Sequence, residues 1–317
     1  MKNKKFVGWF ASFMLVLFLA ACNTAEENTE NSDQTEQPQE EESAAYTVTD
    51  DMGTDVTFEE VPETVVSLQP SNTEILFALD AGEKVVGVTD VDNYPEEVQE
   101  IEKVSDSMTV NAEKVIELNP DVVIAYTVGA EEQLQPIIDS GIPVFVIQSA
   151  LTFEDVYGDI QQIADVMGVG EKGEELVQSI QDQIASVGEK LAGVEEEKQL
   201  YLEISPAPDI YTTGSNTFQQ EILKAAHVGN VFGDQEGWIK VSEEDIISRN
   251  PEVIATTVNY VDNPIEEVKG RTGWDQIAAI SGDAVYQLDS DITSRPGPRI
   301  GEAVQLVAET VYPEVFQ

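Results

Sequence analysis

Two of the chain's four arginines stand together in Ser294-Arg295-Pro296-Gly297-Pro298-Arg299. The prolines stiffen this segment and bar helix within it, so it reads as a rigid loop. Such a loop can present Arg295 as a fixed fork to a carboxylate, an amide or a phosphate; an ion pair with the abundant acids is the competing use. Glu74, in Ser71-Asn72-Thr73-Glu74, and Glu221, after Ser215-Asn216-Thr217, fall early in predicted helices. Ser71-x-x-Glu74 has capping-box spacing, and a first-turn acid suits the helix dipole, so each glutamate has a local explanation. Their matched placement offers another: two carboxylates that could meet two cations on a two-fold partner. Tyr94, Tyr126, Trp238 and Tyr260 sit where strands run into loops, the edge from which open α/β sheets address ligands. There an aromatic ring can wall a pocket for a large flat or apolar molecule, with core packing the alternative for Tyr126 and Tyr260.

Covalent and metal chemistry are poorly supplied. One Cys and one His exclude an intramolecular disulfide, a thiolate zinc site and a multi-His metal site. His227 reads as a helix-end residue. No nucleophile stands beside a base in a recognisable pattern, and neither a Gly-Lys-Ser/Thr loop nor GxGxxG follows a strand. The residues therefore point to binding, with no catalytic group, no metal ligand and no resident cofactor. Sixty-one acids against sixteen bases give a net charge of −45. That balance argues against nucleic acid and against attraction to an anionic membrane surface. A hydrophobic content of 41% is enough for sizeable cores.

Three lysines and then the apolar run Phe6–Ala20, with no acid before Glu26, have the layout of a secretory signal peptide. Leu19-Ala20-Ala21-Cys22 is similar to a bacterial lipobox, which predicts cleavage after residue 21 and lipidation of Cys22; a free Cys after an ordinary signal, or an uncleaved anchor, is the alternative. Residues 23–45 hold eight acids, no base and no aromatic residue. They cannot bury enough apolar surface to fold, and read, with Cys22, as an acidic tether.

The elements that must position the candidates follow an alternating pattern. Apolar, β-branched runs at 64–68, 85–89, 122–126 and 144–147 are separated by helical patterns at 73–79, 112–118 and 131–140. The strand style returns at 200–204, 253–257 and 285–288, and a closing helix is predicted over 300–311. This predicts an α/β fold with mostly parallel sheets flanked by helices. Between the halves, Val156, Ile160, Ile163 and Met167, then Leu176, Ile180, Ile184, Val187 and Leu191, recur at helical spacing. The second helix, over 171–192, would be about 33 Å long and could act as a strut. The expected organisation is a signal at 1–21, lipidated Cys and tether at 22–45, an N-terminal lobe at 46–152, linking helices at 153–193 and a C-terminal lobe at 194–317. Glu113 to Tyr126 parallels Glu244 to Thr257 as helix, Asn-Pro stop and strand, which argues that the lobes are related.

Further segments carry a resemblance: Val65-Val66-Ser67-Leu68-Gln69-Pro70-Ser71-Asn72-Thr73-Glu74, Leu79-Asp80-Ala81-Gly82, Asp92-Asn93-Tyr94-Pro95, Leu118-Asn119-Pro120-Asp121, Gly214-Ser215-Asn216-Thr217, Asn250-Pro251-Glu252 and Arg295-Pro296-Gly297-Pro298-Arg299. From about Tyr46 onward the chain resembles the substrate-binding lipoproteins of ABC importers. Within them it is most similar to the ferric-siderophore/cobalamin class with a helical backbone, and to its cobalamin-binding branch in particular. Ala226-His227-Val228-Gly229 departs from the paired glycines usual there.

The resemblance implies two lobes joined by a rigid helix and a metal chelate in the cleft, a corrinoid before a ferric siderophore or haem. Gln69, Tyr94, Tyr126, Trp238, Tyr260 and Arg295 would contact the chelate, and Glu74 and Glu221 would dock on a permease dimer served by ATPase subunits. It implies a monomer, extracytoplasmic and lipid-anchored to the cell membrane. A structural or adhesive surface lipoprotein and a secreted hydrolase are the competing classes; the first needs no cleft and the second needs a base beside a nucleophile.

Overall fold

The computed structural model describes residues 45–317 except 107 and 127–130. The signal, Cys22 and nearly all of the tether expected above lie outside the described residues. A hairpin of β1 (Tyr46–Thr49) and β2 (Asp55–Phe58) comes first. It is followed by β3 (Val65–Ser67), α1 (Pro70–Ala78), β4 (Val85–Thr89), β5 (Glu102–Ser105), α2 (Ala112–Leu118), β6 (Val122–Tyr126), α3 (Glu131–Asp139) and β7 (Val144–Ile147). Next come α4 (Phe153–Val166) and α5 (Gly170–Leu191). The chain then forms β8 (Gln199–Ser205), β9 (Tyr211–Thr213), α6 (Phe218–Ala225), β10 (Gly229–Asn230), β11 (Trp238–Lys240), α7 (Glu243–Arg249) and β12 (Val253–Thr256). It ends with α8 (Pro264–Lys269), α9 (Ala278–Ser281), β13 (Val285–Gln287), α10 (Ser290–Ser294) and α11 (Ile300–Val311).

Two sheets result. The first has the order β5-β4-β3-β6-β7, and every pairing is parallel. β6 is buried through Val122, Val123, Ile124 and Ala125, as a strand covered on both faces must be. The second has the order β11-β9-β8-β12-β13, with β10 beside β8. Its β8, β10, β12 and β13 are parallel, whereas β9 returns antiparallel to β8 through a hairpin that the apolar pattern did not announce.

Both sheets share one apolar core. Val65 and Ile124 of the first sheet and Leu200 and Ala255 of the second belong to the same buried cluster, joined through Ile160 of α4, Ile180 of α5 and Val304 of α11. Each of these helices turns one face inward, as its spacing predicts. At Gly173 a Cβ would lie 2.6 Å from Ala164 Cβ, so glycine sets how closely α5 approaches α4.

The internal repeat is real in geometry. Asn111 caps α2 through Lys114 N–H at 3.1 Å, and Ser242 caps α7 through Asp245 N–H at 3.1 Å. Both helices end on a left-handed asparagine, Asn119 at φ 46° and Asn250 at φ 47°, followed by proline and then a parallel strand. Asparagine tolerates this conformation, and proline bars further helix.

One buried acid opposes the fold. Asp159 of α4 is only 6% exposed. Burial first, then the charges of Asp51 and Asp155, push its carboxyl up from 3.8 to about 8. Between those values the folded chain keeps a proton that the unfolded chain releases, so the residue's cost to stability grows as pH rises from about 4 to about 8. Asp159→Asn is expected to raise Tm little at pH 4 and most near pH 8, measured by thermal unfolding across that range. A Tm gain that does not vary with pH would contradict this account.

Candidate functional site

In a parallel sheet all strand ends of one kind fall on one edge, and that edge of the first sheet carries a cavity of about 290 Å³. Its wall is built in strand order: Leu68 and Gln69 beyond β3, Thr89 at the end of β4, Ser105 at the end of β5 and Tyr126 at the end of β6. Arg295 reaches it from the segment after α10. Gln69, Tyr126 and Arg295 are thus brought together on one wall. Tyr126 shares a close hydroxyl contact with Ser149 and is only partly buried, so it is not core packing.

Tyr94, Trp238 and Tyr260 do not line this cavity. Tyr94 is half-exposed and stacks under Arg299, whose guanidinium carbon lies 4.2 Å from the ring centroid. Trp238 projects from β11 at 49% exposure, with its indole N–H donating to Gln219 Oε1 at 3.2 Å. Tyr260, beyond β12, is 69% exposed and is not core either.

A residue without any sequence signal completes the wall. Met108 lines the cavity and is 81% exposed. Asp106 fixes its loop by accepting the N–H groups of Met108 at 2.8 Å and Thr109 at 2.6 Å. Gln133 of α3 ties the same loop, accepting Val110 N–H at 2.7 Å. A lone methionine in a polar loop has no periodicity to betray it.

Glu74 departs most from expectation. Ser71 is not the helix cap: Gln69 is, with no side-chain cap bond, and Pro70 opens α1. Glu74 is therefore not a capping-box acid, nor is it displayed for a partner. It is 2% exposed, and both its oxygens are held by arginines from far along the chain. Arg299 Nε and Nη2 donate at 2.7 and 2.6 Å, and Arg295 Nη1 donates at 3.0 Å. Burial opposes the charge on Arg299, but the Glu74 carboxylate outweighs it and raises the guanidinium above its ordinary value. Arg295 has three more acceptors: Asn93 Oδ1 at 2.8 Å, Asp291 Oδ1 at 3.0 Å and Val91 O at 3.2 Å. Asn93 Nδ2 also donates to Asp291 at 2.7 Å. The ion-pair use of Arg295 is thus the one realised, and it sits on the cavity wall.

Glu221, in the first turn of α6, lies 3.9 Å from Lys224 and is partly buried, so it does not match Glu74 in exposure. The duplicated helices supply a matched pair instead. Glu113 and Glu244 are the second residues of α2 and α7, and both are exposed. Each helix leads directly into a parallel strand, so its N-terminus lies at the carboxyl edge of its sheet. Glu113 indeed shares a surface groove with Ser105 and Asp106. Among the described residues no group of three or more His, Cys, Asp or Glu is placed to hold a metal ion. No helix among them is long and apolar enough to cross a membrane.

Comparison with known proteins agrees with this geometry. The family model described as periplasmic binding protein matches residues 65–292. An uncharacterized ABC transporter substrate-binding lipoprotein of Bacillus subtilis is 39% identical over 314 residues, spanning 98% of each chain. A vitamin B12-binding protein of Salmonella typhimurium is 32% identical over 238 residues, 74% of this chain and 85% of that one. The crystal structure of a possible iron-binding, periplasmic solute-binding protein from Staphylococcus epidermidis superposes with a TM-score of 0.73 at 32% identity, covering 80% of this chain and all of the other.

Removing Glu74 would leave two largely buried guanidinium groups without their shared carboxylate. Breaking a buried pair in this way costs about 3–5 kcal/mol. Glu74→Ala should lose that much in urea unfolding; a loss below about 1 kcal/mol, the size expected of an exposed pair, would contradict the role assigned to Glu74.

Proposed function

The chain belongs to the periplasmic binding protein family, and from that membership we propose that it captures a metal chelate outside the cell and delivers it to an ABC permease. It does so as a carrier and not as an enzyme. The observation that carries this reading is the cavity at the carboxyl edge of an all-parallel sheet, approached by Arg295 from the far end of the chain. Its enclosed part is small beside ligand pockets of about 300–1,000 Å³. A bulky chelate would seat one edge there and rest its body against exposed Met108, with Trp238 and Tyr260 on the side of the second sheet. A corrinoid is the favoured cargo, supported by the kinship to the vitamin B12-binding protein. A ferric chelate is the second reading, favoured by the Tyr126 hydroxyl on the cavity wall, a group able to serve as an axial ligand to iron.

The signal and Cys22 support an extracytoplasmic protein held to the membrane by lipid, with the acidic tether allowing it to turn. Its partners are the permease dimer and the ATPase subunits that hydrolyse ATP. With Glu74 buried, the acids offered to the permease are Glu113 and Glu244, one beside each sheet and alike in cap, position and exposure. Exposed acids facing permease cations would set the orientation of docking more than its strength.

Titration with cyanocobalamin should quench tryptophan fluorescence saturably after correction for ligand absorbance. Trp238 is the reporter, because Trp274 is buried, and Trp238→Phe should remove most of the change. No saturable binding by calorimetry would reject the corrinoid reading. The double reversal Glu113→Lys with Glu244→Lys should abolish uptake into cells while leaving chelate affinity within about twofold. Normal uptake by the double variant would overturn the docking assignment.

A further inference from the structure

For a carrier of chelates, the reading on which this inference rests, the charges around Glu74 bear on which cargo the cleft accepts. Arg295 is the basic side chain on the cavity wall. Its guanidinium has five N–H donors, and four are engaged by Glu74, Asn93, Val91 O and Asp291. Arg299 is turned to Glu74 through Nε and Nη2, with its guanidinium carbon over the Tyr94 ring. The charges of Arg295 and Arg299 are therefore balanced by those of Glu74 and Asp291. Beyond this balanced group the cavity wall carries Asp106, and the adjoining groove sets Asp90 and Glu113 against Lys103 and Lys114, so neither offers an uncompensated positive charge.

An anion entering such a cleft would lose hydration and gain little in return. The guanidinium hydrogens it would seek are mostly taken, and breaking them away would strip buried Glu74 of one of its two arginine partners and Asp291 of its own. The acid-rich surface opposes its approach at longer range. A chelate without net negative charge meets none of these costs. It can bond to the side chains of Gln69, Thr89 and Ser105 on the same wall and cover Met108. We propose that Glu74 is a positioning residue that holds Arg295 and Arg299 in a charge-balanced group, so that the cleft selects chelates carrying no net negative charge.

The test uses the mature chain in calorimetric titrations at low and high salt. The probes are cyanocobalamin and ferrichrome, which have no net charge, and haemin and ferric enterobactin, which are anionic. The wild type should bind at least one uncharged probe about tenfold or more tighter than either anionic one, with little dependence on salt. Asp291→Asn and Glu74→Gln each uncover one positive charge. Each should raise affinity for the anionic probes relative to the uncharged ones by about tenfold, and added salt should shrink the gain. Asp291 lies at the more exposed end of the group, so its variant carries the test if Glu74→Gln does not fold. Preference of the wild type for an anionic probe, or an unchanged ratio in folded Asp291→Asn, would overturn the proposal. Binding of ferrichrome without cyanocobalamin would reject the corrinoid cargo and leave the charge selection standing.

Discussion

A carboxylate buried to 2% exposure cannot stand alone, and Glu74 does not. It sits in α1, directly beyond the central strand of the first sheet, and its partners lie 221 and 225 residues further on. Desolvating one carboxylate and two guanidinium groups is costly, and close, multiply bonded geometry is what offsets that cost. The loop from Arg295 to Arg299 must therefore lie against α1, with Gly297 packed on the Ser71 backbone. That constraint fixes the place of Arg295 on the cavity wall, the stacking of Arg299 on Tyr94, and the link from Asn93 to Asp291.

The rest of the architecture supplies the edge on which this group acts. Parallel strands align their carboxyl ends, so Gln69, Thr89, Ser105 and Tyr126 meet on one wall although they are far apart in sequence. The helices α4, α5 and α11 join both sheets through one shared apolar cluster. Such continuous packing resists large relative movement of the sheets. The duplicated α2 and α7 units place one exposed glutamate beside each sheet, because a helix leading into a parallel strand must start at that strand's carboxyl edge.

Electrostatics sets the cleft apart from the surface around it. The chain as a whole is strongly acidic, yet the cavity wall at Arg295 is balanced cation against anion. A second group, Arg271 between Glu203 and Glu267, sets one buried cation against two acids beside Trp274 of the second sheet's own cluster. Three of the four arginines, Arg271, Arg295 and Arg299, thus bond buried glutamates, whereas Arg249 pairs with exposed Asp234 and lysines form exposed pairs such as Lys172 with Asp80.

Much of this could be read from sequence, because it depends on local pattern. Strands 85–89, 122–126 and 144–147, helix 112–118 and the closing helix are as expected, and α5 is displaced by a single residue. Each is a run whose period or β-branching is carried by its own residues. The Asn119 and Asn250 corners were legible for the same reason, since asparagine before proline limits the backbone locally. The β8–β9 hairpin and the Met108 loop were not legible, because the first depends on pairing partners and the second on ties to Gln133. Sequence could bring Gln69, Tyr126 and Arg295 forward as candidates, but only packing could give Glu74 its role. As an acid early in a helix it has the same local signature whether it faces water or two arginines, and burial is a property of the neighbours that the completed fold delivers.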